Sequence, residues 1–413
     1  MNSEVNIYYK VKSFLSANKF TFLIFFLLLF LRLQISFLNY LDFRYDKFTT
    51  LDAKIVNQYK KKNYSVLKLK TKTLAFYTTS RENLKNLLNE NVRLGIITSK
   101  VPFYGYLFTF YAPSFHLKLL PVSKADEYIE NQHKNIKVSN VFKALFFGES
   151  IDYTTRQELS TLGIAHLIAL SGLHLGFVSL FLYLLFTPFY RLFQKKFPYR
   201  NRYADLAFII FAVEFLYLYI TGFPPSLIRA FILEITVFLY AYNIQNPFSL
   251  KVLWVVVLAS VLLFGTKVFS IGYFLSITGV FYIYLFFRYF KPTFFNSLLL
   301  SFYMFAVMFV ISHTFFENFN LYQLFSPFVN ILFSLFYPLE TVLHIIGHGG
   351  VFDGVLLKYL NLGESFVSFK LPFLFGVVFL VLSFAAYYKK GLFYGINLIS
   401  LITILYAVGV SIV

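Results

Sequence analysis

The chain has 413 residues, of which 58% are hydrophobic and only 14% charged; its mean hydropathy is +0.66. Soluble domains are near half apolar and a quarter charged, so a soluble globular fold is excluded and a polytopic membrane protein is indicated. A net charge of +18 calls for an anionic partner, nucleic acid or lipid head groups, and the lack of cysteine excludes disulfides and thiolate metal sites.

Met1 to Lys19 is short and basic. Phe20 to Tyr40 is apolar, and about 20 residues suffice to cross the hydrocarbon core. The run is long for a signal-peptide core and lacks a small-residue cleavage site, which favours an uncleaved anchor over residues 1–41. Arg32, late in the run, is expected to snorkel outward. The positive-inside rule then puts the N-terminus in the cytoplasm and the next segment outside.

Residues 42–120 break the apolar pattern. Asp52 to Tyr59 and Tyr64 to Lys72 alternate apolar and polar around Lys60-Lys61-Lys62-Asn63, which predicts a β-hairpin. Leu74 to Thr79, Val92 to Ser99 and Ser114 to Leu120 are further strand candidates. About five strands make a small OB-like barrel the expectation. Between Lys54 and Lys118 there are 12 Lys/Arg against 2 Asp/Glu, a net of +10. With Tyr59, Tyr64, Phe76 and Tyr77 interleaved, Lys60, Lys61, Lys62, Lys68, Lys70 and Lys72 suit a groove that holds phosphates and stacks bases. The alternative is that these lysines only solubilise a β domain.

Residues 121–162 predict amphipathic or interfacial helices, since Val138 to Phe147 is too short to span. Nine apolar stretches follow, about 163–187, 203–221, 225–242, 250–265, 270–289, 295–312, 322–346, 372–388 and 392–412. Arg191, Lys195, Lys196, Arg200 and Arg202 mark a cytoplasmic loop, and Arg288, Lys291, Lys389 and Lys390 belong on the same side. All of them reach that side only if 322–346 does not cross. That stretch holds Pro327, Asn330 and Pro338, and is expected to be a re-entrant pair of half-helices; the alternative is a plain span that violates the charge rule. The fold class is therefore mostly α, with a β-barrel domain inserted after the first transmembrane helix and a membrane domain over 163–413.

Polar groups inside apolar stretches mark the candidate sites. His166, Ser171, Gly172 and His174 stand in GIAHLIALSGLHLG, read as the first turns of a membrane helix. They either line a hydrated path or are satisfied by neighbouring helices. The hairpin turn near residue 223 puts Glu214 level with Glu234, and Arg229 within reach of both, as a charge network. His344 and His348 have zinc-compatible spacing but no following Glu, so no metal is expected there, and no cofactor elsewhere. No P-loop is present, so no ATPase is expected in this chain.

GIAHLIALSGLHLG, from Gly163 to Gly176, resembles the signature of the ComEC family, inner-membrane channels for single-stranded DNA in natural transformation. Gly148-Glu149-Ser150, the run GFPPSLIRA from Gly222 to Ala230, and SIGYFLS from Ser270 to Ser276 resemble family blocks in the same order. In SIGYFLS, Ile271, Tyr273 and Phe274 replace the family's Pro, Phe and Gln. The resemblance implies a non-enzymatic DNA channel in the bacterial inner membrane, lined by His166, Ser171, Gly172, His174, Arg229, Ser270 and Ser276. It implies as partners single-stranded DNA, membrane lipid, an outside DNA receptor and a cytoplasmic helicase or motor. The family's optional metallo-β-lactamase-like domain is not expected, because its H-x-H-x-D-H motif is absent. Rival readings are a transporter or flippase for an anionic lipid or saccharide, and an intramembrane hydrolase using Ser171.

Overall fold

A computed structural model describes residues 19–71, 74–80, 86–121 and 123–412; Lys72 lies outside them. The chain opens with helix α1 (Lys19–Tyr45) and then forms strands β1 (Phe48–Lys61), β2 (Tyr64–Lys70), β3 (Ala75–Ser80), β4 (Asn91–Ile97), β5 (Phe110–Tyr111) and β6 (Ser114–Leu119). Helix α2 (Phe103–Leu107) precedes β5. The alternation seen in the sequence sets the faces. Leu67 and Leu69 point inward with Ile55, Phe76, Leu94 and Ile96, while Lys70 points out. Lys61 pairs with Tyr64, leaving Lys62-Asn63 as a two-residue turn, so Lys60 and Lys61 belong to the strand.

The strand order is β5-β3-β2-β1-β4-β6. Its two ends are consecutive in the chain, separated only by Ala112-Pro113. β3 pairs β5 in parallel, Ala112 N donates to Tyr77 O at 3.0 Å, and Thr78 Oγ1 donates to Ser114 Oγ at 2.7 Å. The sheet thus closes on itself through one interrupted strand.

The barrel is fixed at two points. Tyr40 of α1 donates to Val101 O at 2.9 Å, and its ring packs on Phe103 and Tyr106. On the other side, Lys54 pairs with Glu149, and Asn89 exchanges two hydrogen bonds with the Ser150 backbone (2.6 and 3.0 Å). Burial pushes the Glu149 carboxyl up, against the opposing pull of Lys54. The Gly148-Glu149-Ser150 block is therefore where the barrel docks. Arg32 does not snorkel: it turns inward and donates to the carbonyl of Leu262, tying α1 to the end of a membrane helix. Carbonyls at a helix C-terminus are unpaired and carry partial negative charge, which makes them a partner for a cation that would otherwise sit in lipid.

Beyond the barrel lies a helical layer of α3 (Lys124–Glu130), α4 (Ile136–Phe147), α5 (Tyr153–Thr161) and α6 (Ala165–Ile168). Val138, Val141, Phe142 and Leu145 make α4 a buried helix rather than one lying on an interface. Its one interior cation, Lys143, pairs with Glu130 at 2.7 Å.

The nine apolar stretches become α7 (Gly172–Gln194), α8 (Arg202–Ile220), α9 (Pro225–Tyr242), α10 (Leu250–Phe264), α11 (Ile271–Tyr289), α12 (Phe294–Ser312), α13 (Ser326–Ile345), α15 (Phe373–Ala386) and α16 (Lys390–Ile412), with α14 (Asp353–Asn361) between the last three. Seven helices among the described residues are long and apolar enough to cross a membrane: α1, α7, α8, α11, α12, α13 with its preceding turn, and α16. Two cores hold the bundle. Leu170, Leu175, Leu218 and Leu227 join α7, α8 and α9, and Val252, Tyr282, Val307, Phe379 and Ile396 join α10, α11, α12, α15 and α16.

The stretch 322–346 is a 3-10 turn followed by one continuous helix, not two half-helices. Pro327 sits in the first turn of α13, where a missing N–H costs nothing, and Pro338 is absorbed inside it. Asn318 (β7, Asn318–Phe319) pairs with Ser368 (β8, Val367–Ser368), so the excursion through α13 and α14 ends where it began. α13, with 20 residues, is about 30 Å long, and residues 346–366, with the 9-residue α14, lead the chain from its far end back to β8. Single cysteines at Asn318 and Ser368 should therefore both react with an impermeant maleimide from outside, and one at Lys390 only after permeabilisation. Labelling of 368 from the cytoplasmic side alone would mean that α13 crosses.

Candidate functional site

The apolar periodicity of 163–187 hides a break. α6 ends at Ile168, Ala169 is extended, and α7 begins only at Gly172. Ser171 is the N-cap, and His174 closes a capping box: His174 Nδ1 accepts from Ser171 N at 3.1 Å while the Ser171 side chain caps the helix. Ser171 Oγ also lies 3.1 Å from His174 Nδ1. That nitrogen is already occupied by a backbone N–H, and no carboxylate among the described residues orients the ring, so the pair lacks the geometry of an activated nucleophile. His174 is fully buried against Tyr337, with ring centroids 4.6 Å apart. Gly163, at φ +71°, turns the chain into α6, and a Cβ there would meet Gln323 Cγ at 2.8 Å. His166 lies beside the Gly163 backbone and the Asn330 side chain of α13.

Four of the seven expected lining residues meet around one cavity of about 90 Å³: Ser171 and Gly172 from α7, Arg229 from α9 and Ser276 from α11. Ser226, Ala230, Leu233, Leu253, Val256, Ile277 and Val280 complete its wall. α7 and α9 meet at Gly172, where a Cβ would stand in ordinary contact with Ala230 Cβ at 3.5 Å and a larger side chain would have to displace α9. Ser270 stands apart as the N-cap of α11, accepting from Tyr273 N at 3.2 Å. His166 and His174 are not part of the wall.

Arg229 is 5% exposed, and its guanidinium lies 4.9 Å above the Tyr273 ring. Its one hydrogen bond is long, 3.4 Å to Gly272 O, and its Nε has no partner. It makes no ion pair among the described residues. Each part of SIGYFLS thus serves this wall: Ser270 caps α11, Gly272 and Tyr273 face Arg229, and Ser276 lines the cavity.

The expected network of Glu214, Arg229 and Glu234 is corrected. The two glutamates do meet, as the hairpin geometry implies, but Ser179 of α7 bridges them and Arg229 turns away. Ser179 had no signal in the sequence beyond lying eight residues after Ser171. Its single hydroxyl proton serves one acceptor at a time, and Leu175 O lies 3.1 Å away as a third partner. One hydroxyl proton satisfies both carboxyls only where one of them is protonated and donates in turn. Sharing one proton also avoids placing two like charges side by side in a dry interior.

His344 and His348 do not converge: exposed His348 faces Ile346 O, while His344 meets His133 (Nε2 to Nε2, 3.1 Å), 211 residues earlier. Asp353 holds His133 Nδ1 at 2.8 Å. Burial nevertheless pushes the His133 imidazole down. This link clasps the α3–α4 loop to the α13–α14 corner. In the barrel, Lys60, Lys61 and Lys62 are exposed at the hairpin tip beside Tyr64, Lys68 lies over Tyr77 (5.4 Å), and Lys70 points outward.

The proton count makes a prediction. Glu214→Gln keeps the donor of a protonated acid and should leave the unfolding midpoint in detergent unchanged. Ser179→Ala should lower stability by about 1–3 kcal/mol, the cost of leaving buried polar groups unbridged. Equal loss in both variants would mean that both carboxylates are charged.

Residues 145–413 match the family described as Competence protein. No curated protein and no solved structure matches the chain. The matched region begins in α4 and takes in the barrel's docking block, the broken segment before α7 and all four helices of the cavity. The chain is a multi-pass membrane protein of the competence protein family, the family of ComEC, and acts in DNA uptake.

Proposed function

We propose that the chain is the inner-membrane channel that passes single-stranded DNA into the cytoplasm, and that the cavity between α7, α9, α10 and α11 lies on its path. The observation that carries this reading is the convergence of three separate family-like blocks, GIAHLIALSGLHLG, GFPPSLIRA and SIGYFLS, on one wall containing an unpaired Arg229. The role is passage rather than chemistry. The chain offers polar, small and cationic groups there, and its Ser–His contact is a helix cap.

At about 90 Å³ the cavity is well below the 300–1,000 Å³ of pockets that hold drug-sized ligands, so the conformation described is closed. Passage requires α7 and α9 to separate across the Gly172–Ala230 contact. With α13 returning to its own side, the remaining helices alternate so that α7, α9 and α11 all begin at the outer face, where DNA arrives. The barrel then stands outside. Its connectivity, with a parallel β3–β5 pair closing the sheet, supports an OB-like fold, and its hairpin lysines with Tyr64 and Tyr77 suit a first contact with the strand. An outside receptor would deliver the DNA and a cytoplasmic motor would pull it.

A bulky side chain at the α7–α9 contact tests the path. Gly172→Leu, at normal abundance in the membrane, should abolish DNA arrival in the cytoplasm while DNA still accumulates in the periplasm. Ser171→Ala should import nearly as the parent does. Parental import by Gly172→Leu would remove the cavity from the path, and complete loss in Ser171→Ala would favour a hydrolase.

A further inference from the structure

We infer that the Arg229 cavity is a binding site for a single phosphate of the DNA backbone, built by one buried guanidinium and the N-termini of two helices. The inference deepens the channel reading and rests on it.

The charge balance around Arg229 is the starting point. Its side chain is withdrawn from solvent, its Nε is unpartnered, and it lines a cavity rather than closing on a carboxylate. Glu234, five residues on in the same helix, is the nearest acid in sequence, and it is engaged by Ser179. Glu214 is engaged by the same hydroxyl. The fold thus diverts both acids and leaves the cation without a counter-charge.

The backbone adds to that positive field. α7 starts at Gly172, α9 at Pro225 and α11 at Ile271. Ser171, Gly172 and Ser226, from the first two starts, are in the cavity wall, while Gly272 of the third lies outside it and meets Arg229 through its carbonyl. An α-helix carries about half a positive charge at its N-terminus. Pro224 gives α9 no side-chain cap, and with Leu227 N and Ile228 N donating to Pro224 O, the backbone N–H of Ser226 is the one in that first turn left for another acceptor. Ser171, Ser226 and Ser276 supply hydroxyls that donate to an oxyanion. Guanidinium groups bind phosphate through paired N–H donors, and helix N-termini bind it through backbone N–H groups. Leu233, Val256 and Val280 close the far side with hydrocarbon, so the site has room and polarity for one phosphate at a time. A site of this kind holds a strand by its backbone whatever its sequence, and lets it advance one phosphate after another.

Phosphate chemistry is shared by DNA and by phospholipid head groups. The inference commits to DNA, because the donors face the cavity and not the lipid-exposed flank of α10, where Trp254 is 58% exposed. The test uses the purified full chain in uncharged detergent. Its unfolding midpoint is measured against inorganic phosphate, a short oligothymidylate and phosphatidylglycerol, at constant ionic strength set by chloride. The parent should shift upward with phosphate and with the oligonucleotide. Arg229→Met should lose both shifts, and Arg229→Lys should keep a smaller one. Because an unpaired buried cation costs stability, Arg229→Met without ligand should unfold at or above the parental midpoint. A midpoint well below the parent would make Arg229 a structural residue held for its contact with Tyr273, and would overturn the site. A shift with phosphatidylglycerol alone would also overturn it and assign the cavity to a lipid head group. If the phosphate shifts appear as expected while Gly172→Leu imports DNA normally, the anion site stands and the channel path is elsewhere.

Discussion

A cation buried in a membrane domain without a counter-ion is the constraint around which the bundle is arranged. Taking a charge out of water costs of order several kcal/mol even after relaxation. Arg229 recovers part of this from the face of Tyr273 and a long bond to Gly272 O. Nearby acids could have supplied the rest, yet Ser179 holds Glu214 and Glu234 together and away from it. The stability given up at Arg229 has a use only if an anion comes to it, and this competence family member handles the most highly charged of anions.

The rest of the fold reads as support for that wall. The break before Ser171 puts a helix start at the cavity, and the Ser171–His174 box keeps the start rigid. Gly172 and Ala230 bring α7 against α9. Arg32 locks α1 to the end of α10, one of the four cavity helices. The barrel is joined to the membrane domain by Lys54–Glu149 and by Asn89–Ser150, which fixes its position against the helices. The chain before α13 and the chain after α14 meet in the β7–β8 pair.

Much of this was legible in the sequence, and what was not has physical reasons. Each of the nine apolar stretches holds a long helix, six of them, over the described residues, long and apolar enough to cross a membrane, and the Lys60–Asn63 hairpin followed from period-two alternation. The level of the Gly222 turn correctly set Glu214 beside Glu234. The break at Ala169–Ser171 was invisible to hydropathy, since every residue around it is apolar or small, and a capping box with His in place of Glu or Gln at its third position carries no familiar signature. Snorkelling was the default for Arg32, but a free C-terminal carbonyl lay 230 residues ahead. The prolines of 322–346 suggested broken helices; the first-turn position of Pro327 removes most of that penalty. Strands of two residues, such as β7 and β8, have no period to detect. The His133–His344 contact joins residues 211 apart, which no local pattern encodes.

The central claim is that translocating DNA passes the cavity, and contact is the most direct measure of it. A photo-crosslinking amino acid at Ser276, in the cavity wall, and another at Phe208, 77% exposed on the outer face of α8, can be activated while cells import labelled DNA. The account predicts protein–DNA adducts at 276 and none at 208. Adducts absent at 276 during active import, at normal protein abundance, would contradict it.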